Sequence, residues 1–548
     1  MSTKINKIGR YLLAAAIFTL SSSLFTACSD FLETDSKSAL QDNDIYNIAA
    51  NVDKALTGVY GALKPFSTYY FVMSESRSDN MFQITEAKSN EYADCAQFNT
   101  TGLVSDKIVA NCWADHYALI AAANALIEKQ AEAADLTQET KIQYEAEARF
   151  LRALSYFDLV RFYGRVPVST KVLTADEAFQ LPQSEAIDVY NNVIIPDLEY
   201  AIENLADVAT DYNGVKHSER ATKIAAKALL GKVYMQMAGY PLKQNTLSKA
   251  KNLFKEVLDA WDWNNKWAAT ADEWNQMWMH ENDNKYFLFE IQYIAEKNQG
   301  NPAAPLARPS NTSADNYCGA NLTAGQHIYA ERQLQLEMVQ IDQATGDIVF
   351  TDKRFFNTIN MASWYDEESG SYQGGLKPNT NQFVTKFFEH KMKRDSLGYG
   401  NMDASIVDRT YWPQNWPVLR IEDVMTLYAE CVGVTEGLPY LNMIRTRAGY
   451  DPLPSSISEE RFQNELRLER RKELLGEGHR WFDEVRQNTF VSDIRNMMIY
   501  YMTYCDSSHS PTYQVYANRV TQNSALYPIP LSQMRVCAGL YQQNPGYN

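Results

Sequence analysis

Apolar residues return every three or four positions in WADHYALIAAANALIEKQ, from Trp113, and in YEAEARFLRALSYFDLVRFYG, from Tyr144. That spacing lays one apolar stripe along a helix, and Gly164 followed by Val166 and Pro167 stops the second, so the two segments predict a helical hairpin. A second pair follows in EAIDVYNNVIIPDLEYAIENL, from Glu185, and SERATKIAAKALLGKVYMQMAG, from Ser218. Ser218 is the expected N-cap of the latter, with Gly239 and Pro241 its expected stop. A further helix is predicted from about Leu247 to Trp261. One more hairpin is predicted far along the chain, in VLRIEDVMTLYAECVGVTEGLPYLNMIRTRAG from Val418. Ala225, Ala226 and Ala228 present small faces that let paired helices approach closely.

Between residues 263 and 416 the pattern changes. Gly, Asn, Ser and Pro are frequent, aromatics are scattered and the helical period is patchy, which predicts long loops with short strands such as KYFLFEIQY from Lys285. A long irregular insertion on a rigid scaffold is where binding residues usually lie.

The start of the chain has a different pattern again. Lys4, Lys7 and Arg10 precede the apolar run Tyr11 to Leu20, and small residues follow up to Ala27. This is the form of a secretory signal peptide, and the run is shorter than the roughly 20 residues that span a bilayer. Phe25-Thr26-Ala27-Cys28 resembles the lipobox of bacterial lipoproteins, with Phe where Leu is usual. Cys28 is therefore the expected lipidated first residue of the mature chain, and SDFLETDSKSAL after it the tether. Several acyl chains, at about 0.8 kcal/mol per buried CH₂, hold a soluble domain on a membrane without a spanning helix.

Composition narrows the function. The formal charge of -16, which becomes about -19 once the three cations of residues 1–27 are removed, opposes binding to nucleic acid and favours a neutral ligand. Aromatics make up 12% of the chain, an excess that either core burial or flat binding platforms would explain; most are assigned to helix interfaces and the rest are candidates for platforms. Cys95, Cys112, Cys318, Cys431, Cys505 and Cys537 remain after processing, an even number that permits disulfides in an exported protein and leaves their pairing open.

Catalytic signatures are sparse. H-E-x-x-H, C-x-x-C, G-x-S-x-G and glycine-rich phosphate loops are missing from the sequence. Ser78-Asp79-Asn80 spells a β-lactamase element, but the S-x-x-K at Ser248 comes after it and no K-T-G exists. Asp42-Asn43-Asp44 and Asn282-Asp283-Asn284 lack the glycine and distal glutamate of a calcium loop. No metal or cofactor is expected, and His479 reads as a packed or capping histidine. A glycosidase needs only two facing carboxylates, so that alternative stays open.

The helix EARFLRALSYFDLVRFYGRVPV, the segment YAECVGVTEGLPYLNMIRTRAG, the run ERRKELLGEGHRWFDEVR and the tail YPIP with QNPGY resemble, in this order and spacing, the SusD/RagB family of outer-membrane lipoproteins. The hairpins likewise resemble degenerate tetratricopeptide units. The resemblance implies a mainly helical fold, a scaffold of tetratricopeptide-like hairpins with a large loop-rich insertion carrying short strands. It implies a non-catalytic, cell-surface protein that captures oligo- or polysaccharide for a SusC-like TonB-dependent transporter. A RagB-like peptide-binding role is the alternative within the family. The expected organisation is a signal peptide over 1–27, a lipidated tether over 28–42, helical scaffold over 43–262, the ligand-binding insertion over 263–416 and a region over 417–548 that completes the scaffold. In ERRKELLGEGHRWFDEVR, Glu469 is spaced to pair with Lys472, and Leu474, Leu475, Trp481 and Phe482 make an apolar face, so this run reads as scaffold.

Binding is expected from aromatic faces against sugar rings, with polar side chains on the hydroxyls. The early stretch SESRSDNMFQITEAK offers Arg77, Asp79 and Asn80 but no Trp. Within the insertion, Tyr317, Trp364, Tyr365 and Tyr372 lie in Gly/Asn/Ser-rich sequence and are the candidate platform.

Overall fold

The computed structural model describes residues 46–83, 92–207, 211–212, 215–216, 220–279, 285–296, 298–307, 328–341, 348–360, 365–366, 371–372, 383–384, 386, 412–505 and 510–547. Its long helices are α1 (Ala49–Gly61), α2 (Lys107–Lys129), α3 (Gln138–Tyr163), α4 (Ile195–Asn204), α5 (Lys223–Ala238), α6 (Leu247–Ala260), α7 (Ile421–Val432), α8 (Val434–Arg447), α9 (Glu459–Glu473), α10 (Arg480–Gln487), α11 (Phe490–Tyr500) and α12 (Ser510–Arg519). The expected mainly helical fold is present.

From α1 to α9 each helix packs on the next one in sequence, as in a stack of hairpins. The stack passes straight from α6 to α7, although about 160 residues separate them along the chain. The expected close approach of α5 to its neighbours is achieved by Ala225, Ala226 and Ala228, all fully buried. Helix α3 lies between α2 and α4, which explains why residues on most of its circumference are buried.

Local chemistry sets the helix ends. Thr137 caps α3 by accepting from the Thr140 N–H, and Gly164 closes it with φ 72, where the N–H donates to the Val160 carbonyl. A Cβ on Gly164 would come within 2.7 Å of Leu526, so the C-terminal segment can lie against this turn only because a glycine is there. Helix α5 begins later than expected: Thr222 accepts from the Ala225 N–H, while Ser218 lies outside the described residues. The segment from Glu185 divides into Ala186–Val189, a π-helical turn Tyr190–Ile194 and α4. Pro196 follows that turn and has no N–H to continue the ladder.

Strands are short and, among the described residues, form only two-stranded antiparallel ladders. Those framing the insertion are β1 (Met81–Gln83), β2 (Phe287–Ile291), β3 (Ile328–Ala330), β4 (Ile359–Asn360), β5 (Tyr365–Asp366), β6 (Ser371–Tyr372), β7 (Phe383–Val384) and β8 (Trp416–Arg420). Pairing of β2 with β8, Trp416 opposite Ile291 and Arg420 opposite Phe287, brings the two ends of the insertion together and explains how α7 can continue from α6. Trp274, Trp278, Phe289 and Trp416 extend the scaffold core into this base. No helix among the described residues is long and apolar enough to cross a membrane. Cys95, Cys112, Cys431 and Cys537 are free thiols.

Candidate functional site

Three ladders, two of them nested, gather the segments in which binding residues were expected. β1 pairs with β3 in the register Met81 to Ala330 and Gln83 to Ile328. The chain that leaves Gln83 and the chain that arrives at Ile328 therefore meet the ladder at the same end. The first carries on from the early stretch, and the second follows Tyr317. β7 lies beside β3 and pairs with β4, and the chain that connects these two strands forms the β5–β6 ladder, with Tyr365 directly opposite Tyr372. Tyr317, Trp364 and Cys28 lie outside the described residues.

Arg77, Asp79 and Asn80, expected to reach ligand hydroxyls, are instead scaffold residues, and each is at least nine-tenths buried. The Arg77 guanidinium lies between the rings of Phe98, Trp481 and Tyr527 and donates to the carbonyls of Cys95 and Ser524. Asp79 accepts from Arg480 at 2.7 and 3.0 Å and pairs with Arg471 at 3.3 Å. Burial alone would raise the Asp79 carboxyl, but these two guanidinium groups hold it well below the usual range. Asn80 donates to Glu75 and accepts from Arg471.

Glu75 explains why the early stretch and the ERRKELLGEGHRWFDEVR run belong together. Its Oε1 accepts from the backbone N–H groups of Gly478, His479 and Arg480, and its Oε2 from that of Gly476. The GEGHR turn thus forms an anion-binding nest around a carboxylate some 400 residues earlier. A Cβ on Gly478, whose φ is 85, would lie 2.5 Å from that of Tyr70, so the turn takes only a glycine there. The expected pair of Glu469 with Lys472 is present at 3.3 Å, and Leu474, Leu475, Trp481 and Phe482 are buried. His479 is a packed histidine, kept neutral by burial and by Lys232.

The base of the insertion is joined to the scaffold by charge. Glu473 accepts from Arg420 and Arg447 at 2.7 Å each, from Arg354 at 2.5 Å and from the Trp274 indole at 2.8 Å. Lys386 donates to Glu477 and to the Glu473 carbonyl, both at 2.8 Å. Burial works to raise the Glu473 carboxyl, yet Arg447, Arg420 and Arg354 hold it well below the usual carboxylate range. A fixed platform base is what this network supplies.

Groups that resemble catalytic or metal sites are occupied by the scaffold. Cys112, His116 and Asp158 are aligned, with Sγ to Nδ1 at 3.7 Å and Nε2 to Asp158 at 3.4 Å. The same Nδ1 lies 2.6 Å from the Cys112 carbonyl, all three residues are fully buried, and burial pushes the thiol well up, so neither a nucleophile nor access is provided. Asp79, Glu484 and Asp493 lie close enough to share a cation, but the Arg480 guanidinium already fills that role, at 2.7, 3.2 and 3.4 Å from them.

Open surface lies elsewhere. A groove of about 370 Å³ runs between Trp113, Tyr117 and Tyr541 on one side and, on the other, Val172 and the short helix that ends at Phe179. Its polar atoms are satisfied internally: Tyr117 donates to the Pro167 carbonyl, Tyr156 to that of Ser169, and Asn124 to those of Ser169 and Lys171. A second cleft, beside the end of α5, was not visible in the sequence, because Tyr190 and Gln236 read there as ordinary helical positions.

The family profile described as "SusD family" matches residues 287–547, and one described as "Starch-binding associating with outer membrane" matches residues 30–235. A SusD-like protein, P38, of Formosa agariphila is 26% identical over 87% of this chain and 91% of its own length. A SusD homologue from Bacteroides thetaiotaomicron superposes with a TM-score of 0.71 at 22% identity, over 92% of this chain and 98% of that one. A laminarin-binding SusD-like protein does so at 0.68 and 23%, over 92% and 100%. SusD-family proteins bind their ligands and do not turn them over. With both profiles and the full-length superpositions in agreement, the chain belongs to the SusD/RagB family, a group of outer-membrane-associated glycan-binding proteins.

Proposed function

We propose that this protein captures a neutral oligo- or polysaccharide at the cell surface and delivers it to a SusC-like TonB-dependent transporter. The observation that carries the reading is the likeness, over nearly the whole chain, to a protein that binds laminarin. The three ladders support the location, since they start the segments around Tyr317, Trp364, Tyr365 and Tyr372 from one base. Those aromatics supply faces for sugar rings. A lipid on Cys28 keeps the protein beside its transporter, which raises the effective concentration of each for the other.

Isothermal titration of the mature protein against laminarin and a panel of plant, host and microbial glycans tests the ligand class. Saturable binding to a glycan is expected, weakened about tenfold by Trp364→Ala or Tyr372→Ala, the equivalent of about 1.4 kcal/mol. Binding to oligopeptides and to no glycan replaces this reading with peptide uptake. For the anchor, Cys28→Ala is expected to leave unprocessed precursor or to release the protein from outer membranes. Unchanged processing and membrane partition would remove the lipid from the account.

A further inference from the structure

The second cleft, of about 460 Å³, lies where the end of α3, the turn at Tyr190, the end of α5 and the C-terminal segment meet. Its size is within the roughly 300–1,000 Å³ usual for small-molecule sites. None of its lining residues belongs to the insertion. Two of them are polar and more than nine-tenths buried: Tyr190 is 2% and Gln236 8% exposed. Buried side chains of this kind are normally paired within the protein. Here no hydrogen bond from a described residue reaches the Tyr190 hydroxyl or the Gln236 amide, and both line the cleft.

We propose that this cleft is a second saccharide site, separate from the insertion, with Tyr190 and Gln236 at its floor. A hydroxyl donates and accepts, as water does, so sugar hydroxyls can take over the positions from which solvent satisfies these two groups in the free protein. The Tyr190 phenol stays neutral because burial, the largest influence on it, pushes its pKa up, and it can therefore both donate and accept. Ile187, Tyr240 and Leu526 give apolar surface for the C–H faces of a ring. Asn523, fully on the rim, adds an amide. Of the charged lining residues, Arg161 is already paired with Asp158 inside the fold, which leaves Arg165 and Glu185, one charge of each sign, so the cleft selects no ion. Two separated sites on one chain would hold a polymer more firmly than either would alone.

The choice of ligand class rests on the glycan reading above, and the test separates the two. Laminari-oligosaccharides and xylogluco-oligosaccharides are titrated into the mature protein by calorimetry and ligand-observed NMR. Two binding components are expected. Tyr190→Phe combined with Gln236→Met, which keep the packing, should weaken one component by tenfold or more and leave the other, while Trp364→Ala should do the reverse. Asn523→Ala on the exposed rim gives the same direction at lower amplitude and does not depend on the core variants folding. Cleft variants indistinguishable from wild type, alongside a weakened Trp364→Ala, overturn the second site and leave the capture reading standing. A saccharide lost only through the cleft variants overturns the insertion platform and supports the cleft. No saccharide bound at either place overturns both.

Discussion

Around Glu473 four buried cations, Arg354, Lys386, Arg420 and Arg447, each meet a carboxylate or its backbone carbonyl within 2.8 Å, whereas beside α5 the equally buried Tyr190 and Gln236 meet no described partner. The side chains are buried in both regions, but around Glu473 their charged ends meet one another, whereas Tyr190 and Gln236 line an open cleft. Where protein groups complete each other, the arrangement is rigid and closed to ligand. Where donors and acceptors are left to solvent, a hydroxyl-rich molecule has something to replace. The early stretch with Arg77, Asp79 and Asn80 falls in the first class, with its polar groups engaged inside the fold next to the β1 ladder.

The contrast predicts unequal costs. Arg420→Ala should be the most damaging change, at about 3–5 kcal/mol in urea unfolding, because Glu473 and Glu477 would remain buried with too little positive charge. A loss below about 1 kcal/mol would break the comparison. Asp483→Asn should cost about 2–3 kcal/mol at neutral pH, in a way that pH reveals. Burial tends to raise the Asp483 carboxyl, but Arg470 and Arg486 bring it down to about 2. A depressed carboxylate stabilises above its unfolded pKa of about 3.9 and loses that contribution as pH falls through its folded value. Wild type and variant should therefore converge between about pH 4 and pH 2, and a constant gap across that range would show that the pair acts through shape alone.

Gln236→Met should shift stability by less than about 1 kcal/mol in either direction, since it removes a polar group that has no protein partner to strand. A large loss there would mean that the amide is part of the scaffold after all. Smallest of all is Lys171→Ala. Its partner Glu177 is 3.4 Å away and both side chains are about half exposed or more, so the unfolding midpoint should not move measurably.

Much of the fold was legible because helices are written in short-range terms. The stripes in α2 and α3, the stop at Gly164 and the strand at Phe287–Ile291 each depend on neighbours within a few residues. The Glu469 and Lys472 pair belongs to the same category, one helical turn apart. The late start of α5 was missed because both Ser218 and Thr222 can cap, and only the path of the chain into the helix selects between them.

Site chemistry was less legible, for a reason that the early stretch makes concrete. Arg77, Asp79 and Asn80 look like ligand-facing residues in sequence, and nothing local says that Trp481, Arg480 and Arg471 will surround them. The sequence by itself determined the helical scaffold, stops such as that at Gly164, and the family. The tertiary structure alone decided which polar side chains are consumed inside the fold and which are left open, because a helix is made by neighbours along the chain while a hydrogen-bond partner can come from 400 residues away.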